Sequence, residues 1–548
     1  MTGTGNSSGK LELTWSNKDQ RLLAHDDVTY EWVDPSDWRV SEVRLLDEVA
    51  TYGEDPQDNL LVQGDALHAL TALTSIPEYA ERYAGRVRQV VIDPPFNTGQ
   101  VFDNYDDSLE HSVWLTMLRD RLEQVHKLLA PDGSVWLHCD DAEQHRARLV
   151  LDEVLGADAF VATILWQKRY SRDNRPAIGP VHDFIHVYSP AGTDWKHHRN
   201  RLPPGDKAAK QYRMDSGDGR GPWRGIPLDA QAGHATASQF YEVTTPAGVT
   251  HAPASGRAWS VSKERMDQLI AEGRVYFGKD GRGKPNLIRY LSEHTGLVPW
   301  TWWPCEEVGH NDAAKKEILR MFPDVEAFST PKPERLLERI IRIGSDPGDV
   351  VLDCFAGSGT TAAVAHKMER RWVTVELSGD TVDTFARPRL QKVIGGTDPG
   401  GVTDAVSWEG GGGFTEVKVA ASMFEDVDGT VVLSEWATNG QLAEAVAAQL
   451  KFTIEPEGPF VGRKGRTRLA VLDGMLTNGV ADYLAQQLEE TESVMVVAMT
   501  LEEGVAEHLR AIRPGSRARK VPRDLARSGK LPSRLVRLDR TTDGGRAR

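Results

Sequence analysis

The fold class follows from one segment, Val350-Val351-Leu352-Asp353-Cys354-Phe355-Ala356-Gly357-Ser358-Gly359-Thr360-Thr361. A short apolar run reaches an acidic residue and then a glycine-rich turn, which is typical of a buried parallel strand that leads into a helix. Glycines in such a turn let the backbone approach a ligand and leave the first helix amides free for an anion. A phosphate-binding loop is disfavoured because no Lys follows the glycines.

A second strand and loop of this kind lies far earlier in the chain, at Val90-Val91-Ile92-Asp93-Pro94-Pro95-Phe96. Two prolines cannot continue a sheet ladder because they lack the amide donor. They therefore predict a rigid loop that holds Asp93, Phe96 and the Pro94 carbonyl in place. Each loop would deliver its acidic residue at the carboxyl end of a buried parallel strand.

Predicted strands and helices alternate around both motifs, which indicates an α/β, doubly wound parallel sheet of the Rossmann-like kind. A stretch rich in Gly, Pro, Arg and Trp interrupts the alternation and suggests an insertion with its own fold. A small α/β unit is predicted at the carboxyl end, with its pattern starting near Phe414. The predicted divisions are an amino-terminal region packing on the core, two core halves around the insertion, and the carboxyl-terminal domain: 1–58, 59–190, 191–298, 299–398 and 399–548.

Composition limits the class of protein. Only three cysteines occur among 548 residues, which disfavours a disulfide framework or zinc cage and predicts a reducing cytoplasm. No apolar run long enough to cross a membrane exists, and no signal region precedes the first motif. The net charge of −15 argues against indiscriminate binding to polyanions, yet the stretch from Lys168 to Arg224 is rich in Lys and Arg.

Together the two motifs resemble those of amino-methylating DNA methyltransferases, and their order is that of the permuted group in which the catalytic motif comes first. The extension Asn97-Thr98-Gly99, with Phe102, Tyr105 and Asp106, resembles the modification subunits of type III restriction systems. That family more usually has Tyr where Phe96 stands, and both rings supply a stacking face. The resemblance implies an adenine-specific DNA methyltransferase that uses S-adenosylmethionine. It also implies that the two motif loops end neighbouring strands of one sheet.

Catalysis would then rest on Asp93, Pro94, Pro95 and Phe96. An exocyclic base amine is a poor nucleophile because its lone pair is delocalised into the ring. Hydrogen bonds from both amino protons to a carboxylate and a backbone carbonyl make that nitrogen nucleophilic. Phe96 would stack on the base, which must leave the duplex to reach the cofactor.

The resemblance also assigns cofactor and DNA contacts. Asp353 and the loop would hold the methionine part of S-adenosylmethionine, Glu376 the ribose and Asp65 the adenine side; the full set is Asp65, Lys332, Asp353, Phe355, Ala356, Gly357, Ser358, Gly359, Thr360 and Glu376. The predicted contacts to double-stranded DNA are Asn97, Tyr105, Lys168, Arg169, Arg172 and Arg175. The insertion would read the target sequence, and the carboxyl-terminal domain would serve a homodimer or a restriction helicase-nuclease subunit.

Two alternatives stay open at this point. A cytosine-amine methyltransferase uses the same chemistry, although that group usually carries Ser where Asp93 stands. The other alternative is a catalytically silent DNA-recognition subunit of a defence complex. The presence of Asp93, Phe96, Phe355 and Glu376 argues against it, because a silent subunit need not keep both halves of the site. His138 and Asp140 could suggest a metal pair, but methyl transfer needs no metal and no metal site is predicted.

Overall fold

The computed structural model describes residues 12–24, 30–56, 59–97, 101–102, 105–106, 110–172, 177–204, 210–326, 328–427, 430–434, 441–522 and 524–525. The chain forms two compact units. One comprises residues 1–200 and 300–548, and the other residues 201–299. No described helix is long and apolar enough to cross a membrane.

Strands β1 to β10 belong to the part of the chain before the insertion. They are β1 Arg21–Ala24, β2 Tyr30–Val33, β3 Leu46–Gly53, β4 Leu60–Gln63, β5 Val87–Ile92, β6 Val101–Phe102, β7 Tyr105–Asp106, β8 Leu129–Cys139, β9 Phe160–Gln167 and β10 His182–Tyr188. The α-helices that lie among them are α1 Trp38–Ser41, α2 Ala66–Ser75, α3 Pro77–Tyr83, α4 His111–Leu128 and α5 Gln144–Leu155. Short 3₁₀ turns follow at Ala157–Ala159 and Gly192–His197.

The unit of residues 201–299 is built from short antiparallel strands and a helix. Its elements are β11 Trp223–Pro227, β12 Asp229–Gln231, β13 Val243–Thr244, β14 Thr250–His251, β15 Arg257–Trp259, α6 Lys263–Ala271, β16 Val275–Tyr276 and β17 Asn286–Tyr290, with 3₁₀ turns at Ala232–His234, Ala237–Gln239 and Leu291–Glu293. Its small core gathers around the buried Trp259 and Met266. The insertion predicted from residue 191 thus begins at residue 201 as a compact unit.

The rest of the first unit completes the core and adds a carboxyl-terminal sheet. Its core elements are β18 Trp302–Trp303, α7 Cys305–Val308, α8 Asn311–Met321, α9 Glu334–Gly344, β19 Val350–Asp353, α10 Thr360–Lys367, β20 Arg371–Glu376, α11 Gly379–Thr381, a π-helical turn Val382–Ala386, α12 Arg387–Ile394 and β21 Gly413–Val419. The elements that follow are β22 Phe424–Val427, β23 Thr430–Leu433, α13 Leu442–Leu450, β24 Thr453–Glu457, β25 Phe460–Lys464, β26 Thr467–Leu476, α14 Asn478–Gln486, β27 Ser493–Leu501, α15 Val505–Ile512 and β28 Arg517–Lys520.

One ten-stranded sheet organises the core, in the order β18-β9-β10-β8-β5-β19-β20-β4-β21-β3. Its middle, from β8 to β21, is parallel, whereas β10 and β3 run antiparallel to their neighbours. The α/β fold class is confirmed, and the sheet is mixed rather than wholly parallel. Apolar side chains of the middle strands and of α2 and α4 form the main core, because strands covered on both faces bury successive residues.

The prediction that the two motif loops end neighbouring strands is confirmed. β5 and β19 pair in parallel, and Asp353 lies opposite Val91. The acidic residues of both loops therefore meet at the carboxyl edge of the sheet, where open α/β sheets bind ligands.

The predicted start of the carboxyl-terminal domain is wrong in one respect. β21, which begins at Gly413, pairs in parallel with β4 and antiparallel with β3, so it belongs to the core sheet. The separate five-stranded sheet, β24-β25-β26-β27-β28, starts only at Thr453. The amino-terminal region also contributes more than packing, since β3 forms the sheet edge.

Candidate active site

A cavity of about 1300 Å³ opens at the carboxyl edge of the parallel strands. It brings together most of the predicted catalytic and cofactor residues. Those that line it are Asp65, Asp93, Pro94, Pro95, Phe96, Lys332, Asp353, Phe355, Ala356, Gly357, Ser358, Thr360 and Glu376. The predicted DNA contacts Lys168 and Arg169 line it as well. Residues from both sequence motifs thus face one space.

Asp93 lies between two cationic groups at the end of β5. Lys332 Nζ donates to its Oδ2 at 2.6 Å, and His138 Nδ1 lies 3.3 Å from its Oδ1. Burial alone would raise the pKa of Asp93, but Lys332 and His138 outweigh it and lower that pKa to about 2. Asp93 is therefore a carboxylate at neutral pH, and its partner Lys332 is a residue that the sequence predicts at the cofactor.

His138 and Asp183 are site residues that sequence reasoning missed. His138 Nε2 lies 3.2 Å from Asp183 Oδ2, and the other Asp183 oxygen accepts from Lys168 Nζ. In the sequence His138 stands out only as half of a possible metal pair with Asp140, and the pairing of β8 with β10 is what reveals its carboxylate partner. Lys168 is mostly buried in this pair, so its predicted contact with DNA stays a prediction.

The Pro-Pro loop is anchored from α4. Trp114 Nε1 donates to the Pro95 carbonyl at 2.6 Å, which leaves the Pro94 carbonyl as the one predicted to meet a base amine. Asn97 follows with a left-handed φ of 58° and donates its side-chain amide to Glu143 at 2.7 Å. Asn97 is buried in this position, and its contact with DNA stays a prediction.

Phe96 is half-buried at the cavity wall, beside both partners of Asp93. Its ring meets the His138 ring edge to face, with centroids 5.1 Å apart. Lys332 Nζ lies 5.0 Å from the Phe96 ring centroid. An aromatic ring held in this way offers a stacking surface next to the carboxylate.

Two carboxylates beside the glycine-rich loop, at the ends of β19 and β20, have no cationic partner among the described residues. Asp353 accepts from the Phe355 amide at 2.9 Å, and Glu376 accepts from the amides of Gly357 and Ser378 at 2.8 and 2.9 Å. Burial raises the pKa of Asp353 to about 7 and also raises that of Glu376. Among the described residues neither forms an ion pair, so this end of the cavity suits a cationic ligand with hydroxyl donors.

Asp65 at the start of α2 has a cationic partner that the sequence did not reveal. Its Oδ1 accepts from the Leu67 amide as a helix cap, and Arg121 Nη2 donates to Oδ2 at 2.6 Å. The Arg121 guanidinium also lies 5.9 Å from the Phe355 ring centroid. Arg121 and Asp65 thus form a buried ion pair at the cavity wall, beside the cofactor loop.

A cluster of buried charged side chains contacts the helix start that follows the glycine-rich loop. Arg389 donates to Thr360 Oγ1 at 2.6 Å and to Glu334 at 2.8 Å, and Glu334 also accepts from Lys367 at 2.8 Å. Ser358 and Thr360, predicted on the cofactor, therefore belong partly to this cluster. Asp398 completes the cluster beside Lys367.

Replacing Arg389 with Met should lower the free energy of unfolding by about 3–5 kcal/mol, because it leaves part of the Glu334 charge buried without a partner. Urea unfolding of wild type and R389M would measure this difference. Arg265→Met, at an exposed position of α6, is the matched control. A change below about 1 kcal/mol in R389M would show that the cluster does not stabilise the fold.

Of the remaining predicted DNA contacts, the structure describes the side chains of two, Arg169 and Arg172. Arg169 and Arg172 are exposed, and Tyr170 beside them is 75% exposed. Arg175 and the side chain of Tyr105 lie outside the described residues. All of these assignments stay predictions.

Comparisons with known proteins identify the family of the chain. Residues 87–387 match the family model described as DNA methylase. The StyLTI Mod subunit, a type III restriction-modification enzyme of Salmonella typhimurium, is 32% identical over 61% of this chain and 57% of its own length. The HindVI Mod subunit of Haemophilus influenzae, named a probable enzyme of that type, is 28% identical over 67% of this chain and 54% of its length.

The chain spans little more than half the length of these curated relatives. A solved structure of a putative DNA modification methylase from Thermus thermophilus, complexed with S-adenosyl-L-methionine, is 17% identical, with a TM-score of 0.31 over 66% of this chain and 99% of that one. The family match covers both motif loops and more than half of the chain. The chain therefore belongs to the DNA methylase family, whose methyl donor is S-adenosylmethionine.

Proposed function

We propose that this protein transfers a methyl group from S-adenosylmethionine to the N6 amine of adenine in double-stranded DNA. One observation carries the proposal. Asp93 is an ionised carboxylate beside an aromatic ring, and it shares one cavity with Asp353 and Glu376, whose carboxylates form no ion pair among the described residues. The Mod names of the curated relatives favour adenine over cytosine.

The cavity fits the cofactor by the chemistry of its groups. Asp353 and Glu376 offer negative charge, and Ser329 Oγ is buried at the wall with no hydrogen-bond partner among the described residues. Asp353 and the loop amides would hold the methionine part, Glu376 the ribose hydroxyls and Asp65 the adenine side. When bound, S-adenosylmethionine supplies an electrophilic methyl group on a positive sulfur.

The residues of the chain would prepare the amine. Asp93 and the Pro94 carbonyl would accept its two protons, while Phe96 stacks on the extruded base. An amine that reaches Asp93 Oδ2 takes the position that Lys332 Nζ occupies in this structure. Base entry therefore requires Lys332 to release that oxygen.

Cofactor affinity is expected to rise with pH. Asp353 has a pKa of about 7 in the free protein, and a cationic ligand binds its ionised form more tightly. Between pH 5.5 and pH 7 the dissociation constant of S-adenosylmethionine should fall more than about tenfold, and binding should release a proton. An α-amino group titrates higher, at about 7.7–8.0, so the α-amino group of the cofactor does not explain this change. Calorimetry in two buffers measures both quantities. D353N should lose the dependence, and an equal slope in D353N would contradict this origin.

The proposed base is tested by sequencing DNA from cells with and without this chain, using single-molecule detection of modified bases. Adenine methylated at N6 within one recurring sequence is expected. Modified cytosine at that sequence would favour the cytosine-amine alternative, and no modification would favour a silent recognition subunit.

We also propose that the protein acts in the cytoplasm as a homodimer, as the modification and recognition subunit of a restriction system. The support is the Mod resemblance, with residues 201–299 as the sequence reader and the sheet from β24 to β28 as the docking part. Copurification from the native host tests it. A second large chain with helicase-nuclease activity is expected, and a protein that purifies alone as a monomer would contradict it.

A further inference from the structure

We propose that His138, held by Asp183 and Lys168, is a positioning residue that keeps the Asp93 carboxylate oriented and ionised while a base amine occupies Asp93 Oδ2. The inference deepens the proposed methyl transfer and rests on it. It concerns side chains that donate no atom to the reaction.

Three neighbouring strands set this arrangement. β8 lies between β5 and β10, and it carries His138 at its carboxyl end. The register places Leu137 opposite Ile92 on one side and His138 opposite Ile185 on the other. Asp93, His138 and Asp183 are consequently brought side by side by the sheet itself.

The imidazole of His138 has little freedom. Its two nitrogens face Asp93 at 3.3 Å and Asp183 at 3.2 Å, and its ring meets Phe96 and Trp166 edge to face at 5.1 and 5.4 Å. The residue is only 4% exposed. Nε2 lies within hydrogen-bond distance of Asp183, and Nδ1 lies at ion-pair distance from Asp93. Two carboxylates beside one ring favour its protonated form, the imidazolium.

Charge explains why this contact matters for the reaction. The Asp93 carboxylate faces two cationic groups, Lys332 and His138, and one anionic group, Asp353. His138 also faces the Asp183 carboxylate and the Lys332 ammonium group. When an amine displaces Lys332 from Oδ2, His138 on Oδ1 is the cation that remains beside Asp93 among the described residues. Lys168, in turn, neutralises the second oxygen of Asp183.

The pKa of His138 supports the geometry. Burial would lower it, but the hydrogen bond to Asp183 and the contact with Asp93 outweigh burial and raise it. Likewise, burial would raise the pKa of Asp183, whereas His138 and Lys168 lower it. The carboxylates and the imidazolium therefore stabilise each other's charged forms.

Two measurements on the full chain test the inference. ¹⁵N NMR of histidine-labelled protein should show His138, assigned by its loss in H138Q, titrating above about 6.5, and D183N should lower that value. Steady-state methylation should show the acidic limb of kcat moving up by at least about one pH unit in H138Q and D183N. The rate loss should be at least about tenfold at pH values below the wild-type acidic limb and small near pH 9.

His126→Gln, an exposed histidine on α4, is the matched control and should change neither measurement. An imidazole that titrates at or below 6.5, or a rate loss in H138Q that is equal at all pH values, would overturn the inference. A wild-type protein that methylates no adenine would contradict the proposed function instead. The NMR titration separates these two failures because it needs no turnover.

Discussion

Asp93→Ala is expected to reduce methyl transfer at least about 100-fold, and to background in a routine assay. The carboxylate would accept an amine proton in a desolvated site, where a hydrogen bond to a charged group contributes roughly 1.5–3 kcal/mol or more. Removing one preorganised electrostatic contact of this kind typically costs 10²–10³ in rate. Single-turnover transfer of labelled methyl groups to duplex DNA measures the loss.

The cofactor should still bind to the D93A variant within a few-fold of wild type, because Asp353, Glu376 and the loop amides stay in place. Asp93→Asn separates charge from shape, since it keeps the size and removes the negative charge that Lys332 and His138 face. Asp158→Asn, exposed at the opposite edge of the sheet, is the control. Transfer by D93A within tenfold of wild type would show that another group activates the amine.

Glu376→Ala is expected to weaken S-adenosylmethionine binding by about 100- to 10,000-fold. Two hydroxyl hydrogen bonds to a carboxylate, at roughly 1.5–3 kcal/mol each, give that range. The substitution also frees the amides of Gly357 and Ser378, which Glu376 holds in this structure. Titration calorimetry measures the dissociation constant directly.

The conservative variant Glu376→Gln keeps one acceptor oxygen and should lose less affinity than the alanine variant. Glu503→Gln, on the surface of the carboxyl-terminal sheet, should bind like wild type. Binding by E376A within threefold of wild type would refute the ribose assignment. Unchanged urea unfolding in E376A would show that any loss arises at the site.

The sequence predicted those features that depend on local pattern. The apolar runs before Asp93 and Asp353 identified β5 and β19, and the turn chemistry after each identified the loops that line the cavity. β21 was assigned to the wrong unit because its alternating Phe-Thr-Glu-Val-Lys pattern fits any half-buried strand. Only its pairing with β4 and β3 places it in the core sheet.

Partners within the site could not be predicted because they meet through tertiary structure. Lys332 reaches Asp93 across 239 residues of chain, and Arg121 reaches Asp65 from the middle of α4. Neither of these two contacts can be recognised from the distance along the chain in a single sequence. The family resemblance assigns Lys332 to the cofactor and Lys168 to DNA, and both assignments stay predictions. In this structure Lys332 pairs with Asp93, and Lys168 pairs with the buried Asp183.

Methyl transfer to adenine through Asp93 is tested with purified protein, unmethylated duplex DNA that contains many sequences, and S-adenosylmethionine with a deuterated methyl group. Mass spectrometry of the hydrolysed DNA should find the label in N6-methyladenine for wild type and not for D93A. Label in N4-methylcytosine, or equal labelling by D93A, would contradict the account.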